Sequence, residues 1–274
     1  YRDRRQRQMC IRDRIYTTES SDRAFEEEVM LSGFAQAQVK PEGSGVTFDN
    51  AQETYTARYS HETIALAFSI TEEAIEDNLY DRLASRYTKA LARSMANTKQ
   101  VKAVSPLING LPSGSFTSGD GVSLFNTAHP TISGTVKNTL TTAADLNETS
   151  LEQSLIDIAA MTDERGLKIA ARGVKMIVPS ELQFTAERLM KSQGRTSTAD
   201  NDINAIASMG MIPQGYRVNN FLTDTDAFYI ITDVPNGMKY FERTPIRTAM
   251  EGDFDTGNVR YKARERYSFG VSDY

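Results

Sequence analysis

Residues 258–274, NVRYKARERYSFGVSDY, alternate in polarity along most of their length. Odd positions from 259 to 271 are apolar apart from Glu265, and the even positions carry Arg260, Lys262, Arg264, Arg266 and Ser268. A period of two places successive side chains on opposite faces of a β-strand. The pattern therefore predicts one strand on the order of 40 Å long, apolar on one face and basic on the other. A strand about twice the usual length indicates an elongated subunit, a shape typical of proteins that tile a larger assembly.

A long helix is predicted from residue 71 to about residue 102. One apolar or aromatic ridge recurs every fourth position and consists of Ile75, Leu79, Leu83, Tyr87, Leu91 and Met95. Acidic residues lie near its start and Lys99 and Lys102 near its end, which matches the helix dipole. About 30 residues at ~1.5 Å per residue give roughly 45 Å, so this helix and the long strand are expected to pack along each other.

Residues 35–70 are predicted to form an extended hairpin. PEGSG at 41–45 has turn chemistry, and residues 63–70 alternate as a strand. An arm of this length is poorly covered by its own domain, so its apolar side chains are expected to contact a neighbouring subunit. The candidate contact residues are Tyr55, Tyr59, Ile64, Leu66 and Phe68.

The remaining segments give weaker patterns. Residues 15–34 are predicted to include a short helix, and residues 103–147 to form loops and short strands at the surface. From Thr149, which with Glu152 matches a capping box, helices alternate with strands. This alternation predicts an α/β domain with a mixed sheet.

Residues 1–14, YRDRRQRQMCIRDR, are treated separately because they are rich in Arg and have no amphipathic period. They resemble a translated sequencing adapter and are interpreted as a non-native segment, with a disordered basic arm as the alternative. They contain Cys10, the only cysteine among the 274 residues, so the rest of the chain has no thiol chemistry. The net charge of −5 argues against a dedicated nucleic-acid-binding protein, and no run of 18 apolar residues predicts a membrane helix.

Motifs for chemistry are few. Asp255 lies in a DTG triplet of the aspartic-protease type, but the chain has no second triplet, so the preferred interpretation is a turn before the long strand. His61 and His129 are the only histidines, too few for an ordinary zinc site. The sequence predicts no enzyme activity, no metal and no cofactor, with an aspartic-type hydrolase using Asp255 as an alternative.

Five blocks resemble the major capsid proteins of tailed bacteriophages, in the group of Mu-type head subunits. The final block is RERYSFGVSDY, in which Val271 stands where relatives are expected to carry Trp. The other four, in the same order along the chain, are residues 59–100, 119–130, 175–192 and 221–233.

The resemblance implies an α+β fold, the one shared by tailed-phage capsids, encapsulins and herpesvirus shells. Its expected parts are an N-terminal arm (15–34), an extended loop (35–70), a peripheral domain with a spine helix (71–148), an axial domain (149–235) and a return to the peripheral domain (236–274). It implies a structural protein of the virion that assembles in the host cytoplasm as pentamers and hexamers around double-stranded DNA. Scaffold, maturation protease and portal proteins are expected partners, and an encapsulin-like shell is the alternative.

The basic face of the last strand, with Arg260, Lys262, Arg264 and Arg266, has two interpretations. It contacts packaged DNA through phosphates, or it pairs with acidic residues of the spine helix or a neighbouring subunit. Pairing with acidic residues is preferred because the chain as a whole is acidic.

Overall fold

The computed structural model describes residues 15–77, 80–194, 202–253 and 257–274. At residue 75 and residues 80–83 it describes the backbone alone. Residues 1–14, interpreted from the sequence as a non-native segment, lie outside the described residues.

The helices within this range are α1 (Glu72–Glu76), α2 (Tyr80–Asn109), α3 (Glu148–Ala159), α4 (Gln183–Lys191) and α5 (Ala205–Met209). The strands are β1 (Thr17–Ser20), β2 (Phe25–Leu31), β3 (Glu53–Ser60), β4 (Glu62–Ile70), β5 (His129–Thr131), β6 (Gly134–Val136), β7 (Gly173–Val178), β8 (Tyr216–Val218), β9 (Tyr229–Thr232), β10 (Met238–Gly252) and β11 (Val259–Val271). The predicted long strand is confirmed as β11.

The chain divides into two compact units. Among the described residues, the first unit contains those from 15 to 27, from 58 to 105 and from 238 to 270. The second contains residues 28–57, 106–237 and 271–274. Residues 106–148, predicted to belong with the spine helix, thus cluster with residues 149–237.

The first unit is built on a four-stranded sheet in the order β1-β10-β11-β4. β11 runs antiparallel to β4, so that Tyr261 lies opposite Phe68 and Ala263 opposite Leu66. On the α2 side, Ala263 packs against Leu91 and Met95. A second buried cluster of this unit joins Tyr16, Ala103, Tyr240 and Tyr267. Helix and long strand therefore pack on each other, as their matched lengths predict.

The second unit contains a three-stranded sheet in the order β8-β7-β9, parallel on one side of β7 and antiparallel on the other. Its core is formed by α3, α4, α5 and β7 and includes Leu151, Leu155, Met176, Val178, Ala186, Leu189 and Ile206. The mixed sheet expected for this region is confirmed. The cap of α3 was misplaced in the prediction, because Asn147 and Ser150 form the capping box instead of Thr149 and Glu152.

Three local predictions were wrong. The segment predicted as a short helix is strand β2, in which exposed and half-buried side chains alternate. The strand β3 pairs with β2, whereas β4 pairs with β11, so residues 35–70 do not form a hairpin by themselves. The single helix predicted from residue 71 is assigned as two, α1 and α2, with a turn at Asp77, and α2 continues past residue 102 to Asn109 because Ala103, Val104 and Leu107 are buried.

Candidate assembly surfaces

The arm loop, residues 32–52, connects β2 to β3. Its base is closed by the amide of Ser32, which donates to the carbonyl of Gln52 at 2.9 Å. Further out, the amide of Ala35 donates to Asp49 Oδ2 at 2.7 Å, and Arg165 Nη2 lies 3.8 Å from Asp49 Oδ1. The hydrogen bond from Ala35 holds the pKa of Asp49 below its ordinary value, with smaller contributions from Asn50 and Arg165.

Apolar side chains in the arm loop face solvent. Val39 and Phe48 are each 94 % exposed, and Phe34 and Val46 are exposed as well. A folded chain rarely exposes several large apolar groups in one segment unless the segment meets a partner. The sequence prediction missed these four residues because it looked for alternating apolar positions, whereas these are isolated among Gly, Ser and Gln.

The predicted contact residues of β4 have mixed environments. Ile64 and Phe68 are half-buried between the sheet and α2, and Phe68 stacks on Tyr261 with ring centroids 5.0 Å apart. Leu66 remains 45 % exposed. Of these three side chains, Leu66 offers the largest free surface, and the part it plays in subunit contact stays a prediction.

Tyr59, a predicted contact residue of β3, is buried in the first unit. Its ring lies edge-on to Phe241 with a centroid separation of 4.8 Å, and only 3 % of the residue is exposed. Its side chain therefore packs within its own chain.

Tyr55, the other predicted contact residue of β3, is half-buried in the second unit. It stacks on Tyr274, whose ring lies parallel to that of His129 at 3.9 Å. His129 Nδ1 lies 2.6 Å from Asp120 Oδ2, and both side chains are buried. The histidine thus connects Asp120 to Tyr274, which follows the long strand. Its hydrogen bonding was predicted, but it lies at the start of β5 instead of in a loop.

Two carboxyl groups adjoin this cluster of the second unit. Tyr274 donates to Glu164 Oε1 at 3.4 Å, and burial raises the pKa of Glu164. Burial, together with the charge of Glu164, raises the pKa of Asp273 to about 6.

The sheet face, formed by Arg260, Lys262, Arg264 and Arg266, lies on the side of β11 away from α2. These residues stand opposite Ser69, Ala67, Ala65 and Thr63 of β4, which are small and exposed. Arg260 pairs with Asp253 at the end of β10, and Arg266 is half-buried. Within the described chain, no carboxylate lies within 4.0 Å of Lys262 or Arg264.

The alternative interpretation as a hydrolase depends on Asp255. Asp255 lies outside the described residues. In the part of the chain that is described, no three His, Cys, Asp or Glu side chains are grouped to hold a metal ion. No described helix has both the length and the apolar composition needed to cross a membrane.

Solved structures identify the class of fold. The chain resembles the capsid of an empty GTA particle, with 16 % identity, a TM-score of 0.60, and coverage of 95 % of this chain and 85 % of that one. The capsid of cyanophage P-SCSP1u matches at 13 % identity and a TM-score of 0.56, covering 95 % and 84 %. The capsid of Myoviridae phage XM1 matches at 12 % identity and a TM-score of 0.55, with coverage of 94 % of this chain and 86 % of that one. The fold is therefore the α+β fold of tailed-phage capsid proteins.

The model of the phage capsid protein family matches residues 54–274, and the chain belongs to that family. It is a major capsid protein, a structural protein that forms the shell of the phage head. No curated protein sequence matches it. None of these matches supports the encapsulin-like alternative or the hydrolase.

Proposed function

We propose that the arm loop fastens each subunit to its neighbour within the pentamers and hexamers of the shell. The observation that carries the proposal is the near-complete exposure of Val39 and Phe48 in a loop whose base is closed by the hydrogen bond from Ser32 to Gln52. Burying an apolar side chain of this size stabilises by ~1.5–3 kcal/mol, so two per subunit give each contact a substantial free energy. In a closed shell every subunit both supplies and receives such a contact, and weak contacts add up.

The test replaces Val39 and Phe48 by Ser in one double variant. The matched control, Phe184→Ser with Ile203→Ser, removes two exposed apolar side chains of similar size outside the arm loop. Negative-stain electron microscopy and sedimentation should show closed shells for the control and unassembled, folded subunits for the arm variant. Shells formed equally well by both variants would contradict the proposal.

The sheet face is proposed to pair with acidic residues of a neighbouring subunit. Lys262 and Arg264 support this because they are exposed and small side chains flank them on β4, which leaves room for a partner. Replacing both by Gln should weaken shell assembly and make it less sensitive to salt. If instead shells form normally but retain less DNA, this face binds DNA.

The remaining partners are proposed from the family resemblance. Assembly takes place in the host cytoplasm, with a scaffold, a maturation protease and a portal protein participating. Producing the chain with and without the neighbouring phage genes tests this, because uniform closed particles should then depend on those genes.

A further inference from the structure

The outward side of α2 carries a basic strip formed by Arg86, Lys89 and Arg93. From residue 84 to residue 109 this helix has five Lys or Arg and no Asp or Glu, although the chain as a whole is net acidic. Lys99 and Lys102, the other two cations, are paired with Glu265 at 2.5 Å and Glu62 at 2.7 Å. Along the described chain, no carboxylate lies within 4.0 Å of the three strip residues, and all three are exposed.

Helical geometry turns the strip away from the sheet. Leu91 and Met95, which face β11, are buried. At about 100° per residue, Arg86, Lys89 and Arg93 lie within roughly 60° of one another and on the opposite side of the helix. They extend over roughly 10 Å along the helix axis. Small side chains, among them Ala90 and Asn97, are exposed beside them, so a broad partner can approach the charges.

The first unit thus has a basic surface on each side, and the two surfaces differ in their neutralisation. On the sheet side, Lys262 and Arg264 also have no carboxylate within 4.0 Å in the described chain, but they share that side with cations that are paired. Arg260 pairs with Asp253, and the neighbouring strand has the further pairs Arg243 with Asp22 at 3.5 Å and Lys239 with Glu19 at 3.4 Å. On the helix side, the strip lacks comparable partners in the described chain. A polyanion gains most from cations that no internal carboxylate already neutralises.

We propose that the basic strip of α2 binds the phosphate backbone of the packaged double-stranded DNA without sequence preference. The inference rests on the function of the chain as a shell subunit, since only one side of the subunit can face the interior. It assigns the α2 side to the interior and leaves the sheet face to protein partners. A phosphate polymer is the favoured occupant because the strip carries three cations and no carboxylate beside them in the described chain. The exposed ring of Tyr87 lies roughly 100° or more around the helix axis from each of the three cations.

The first experiment compares two double variants with the same change in charge. Lys89→Gln with Arg93→Gln removes two cations from the strip, and Lys262→Gln with Arg264→Gln removes two from the sheet face. Binding of unassembled full-length subunits to a short linear double-stranded DNA of mixed sequence is measured over a series of salt concentrations. The strip variant should lower the slope of log K against log salt by up to about 2, and the sheet variant should leave it unchanged.

Shell formation by each variant is scored separately by electron microscopy, so failure of the arm-loop proposal does not affect the DNA readout. Equal slopes for the two variants, or a lower slope for the sheet variant alone, would overturn the inference. Loss of shells by the strip variant with unchanged DNA binding would instead identify the strip as a contact with a second copy of the chain.

A second measurement uses the unaltered protein and does not depend on the folding of a variant. Amine-labelling of DNA-filled and empty particles, followed by peptide mass spectrometry, reports the accessibility of Lys89 and Lys262. Lys89 should be several-fold less reactive in filled particles than in empty ones, with Lys262 unchanged. Equal reactivity of Lys89 in both particles would refute the inference.

Discussion

Glu265 is an acidic residue on the face of β11 that packs against α2. Only 2 % of it is exposed, and its carboxylate lies 2.5 Å from Lys99 Nζ. The same ammonium lies 4.9 Å from the centre of the Tyr267 ring, so strand and helix share one desolvated cation. The exception in the alternating pattern is therefore half of an ion pair that fixes the register of α2 on the sheet.

Replacing Lys99 by Met should destabilise the chain by about 3 kcal/mol, because it leaves the carboxylate of Glu265 buried without its cation. Adding Glu265→Met should recover most of this loss, since an apolar pair of similar size replaces the ions. Urea unfolding of the two single variants and the double variant measures the coupling. If the free energy of unfolding of Lys99→Met lies within 1 kcal/mol of that of the unaltered chain, water already reaches the ion pair.

The arm loop should loosen in acid. The depressed pKa of Asp49 means that its carboxylate stabilises the loop fully at neutral pH. This contribution is lost as the pH falls below about 4, toward the lower pKa of the folded state. Hydrogen exchange of the Ala35 amide should accelerate, relative to its intrinsic rate, across this range. Asp49→Asn should show the faster exchange at neutral pH and no such transition.

At the scale of elements, the buried face of α2 could be predicted from the sequence, whereas its C-terminal end could not. Of its predicted ridge, Leu91 and Met95 repeat with the helical period and are buried, whereas Tyr87 is 45 % exposed and the side chains of Ile75, Leu79 and Leu83 are not among those described. Its end was not predictable, because Pro106 and the polar segment that follows favour a break. The helix continues because burial of Val104 and Leu107 outweighs the hydrogen bond that Pro106 cannot make. The pairing of β3 with β2 was likewise not predictable, because alternating polarity predicts a strand but does not indicate which other strand it pairs with.

The close approach of β3 and β11 predicts a strict requirement for glycine at position 270. A Cβ atom there would lie 2.5 Å from Cε1 of Tyr59, a ring fixed by Phe241. Gly270→Ala should therefore cost ~1–3 kcal/mol through overpacking. The control, Gly252→Ala, adds a Cβ with no neighbour within 4 Å and should change stability by less than about 0.5 kcal/mol. Equal thermal stability of the two variants would contradict this packing.

At the scale of the whole molecule, the fold was more predictable than its surfaces. The long strand, the long helix and the mixed sheet follow from periodicity, which reports burial. The arm-loop residues Val39 and Phe48 and the strip on α2 follow no period that burial imposes, and the partners proposed for them lie outside the chain. Sequence patterns identify the core well and identify contacts with other molecules poorly.

Shell formation should raise the unfolding temperature of the chain. Neighbours bind the folded subunit and not the unfolded one, so assembly stabilises the folded state by mass action. Scanning calorimetry should therefore give a higher transition for shells than for dilute subunits. The Val39→Ser, Phe48→Ser variant should show the lower value at every concentration. Identical transitions for shells and subunits would mean that the contacts contribute little to stability.

The order of strands in the first unit has a consequence for synthesis on the ribosome. β1 and β4 are the edges of the sheet and are translated first, whereas β10 and β11, which fill its centre, come from residues 238–271. On the ribosome, β1 and β4 therefore have no pairing partner in this sheet until β10 and β11 have been synthesised. A chain released prematurely lacks the middle of the sheet, so the topology itself excludes truncated products from the head.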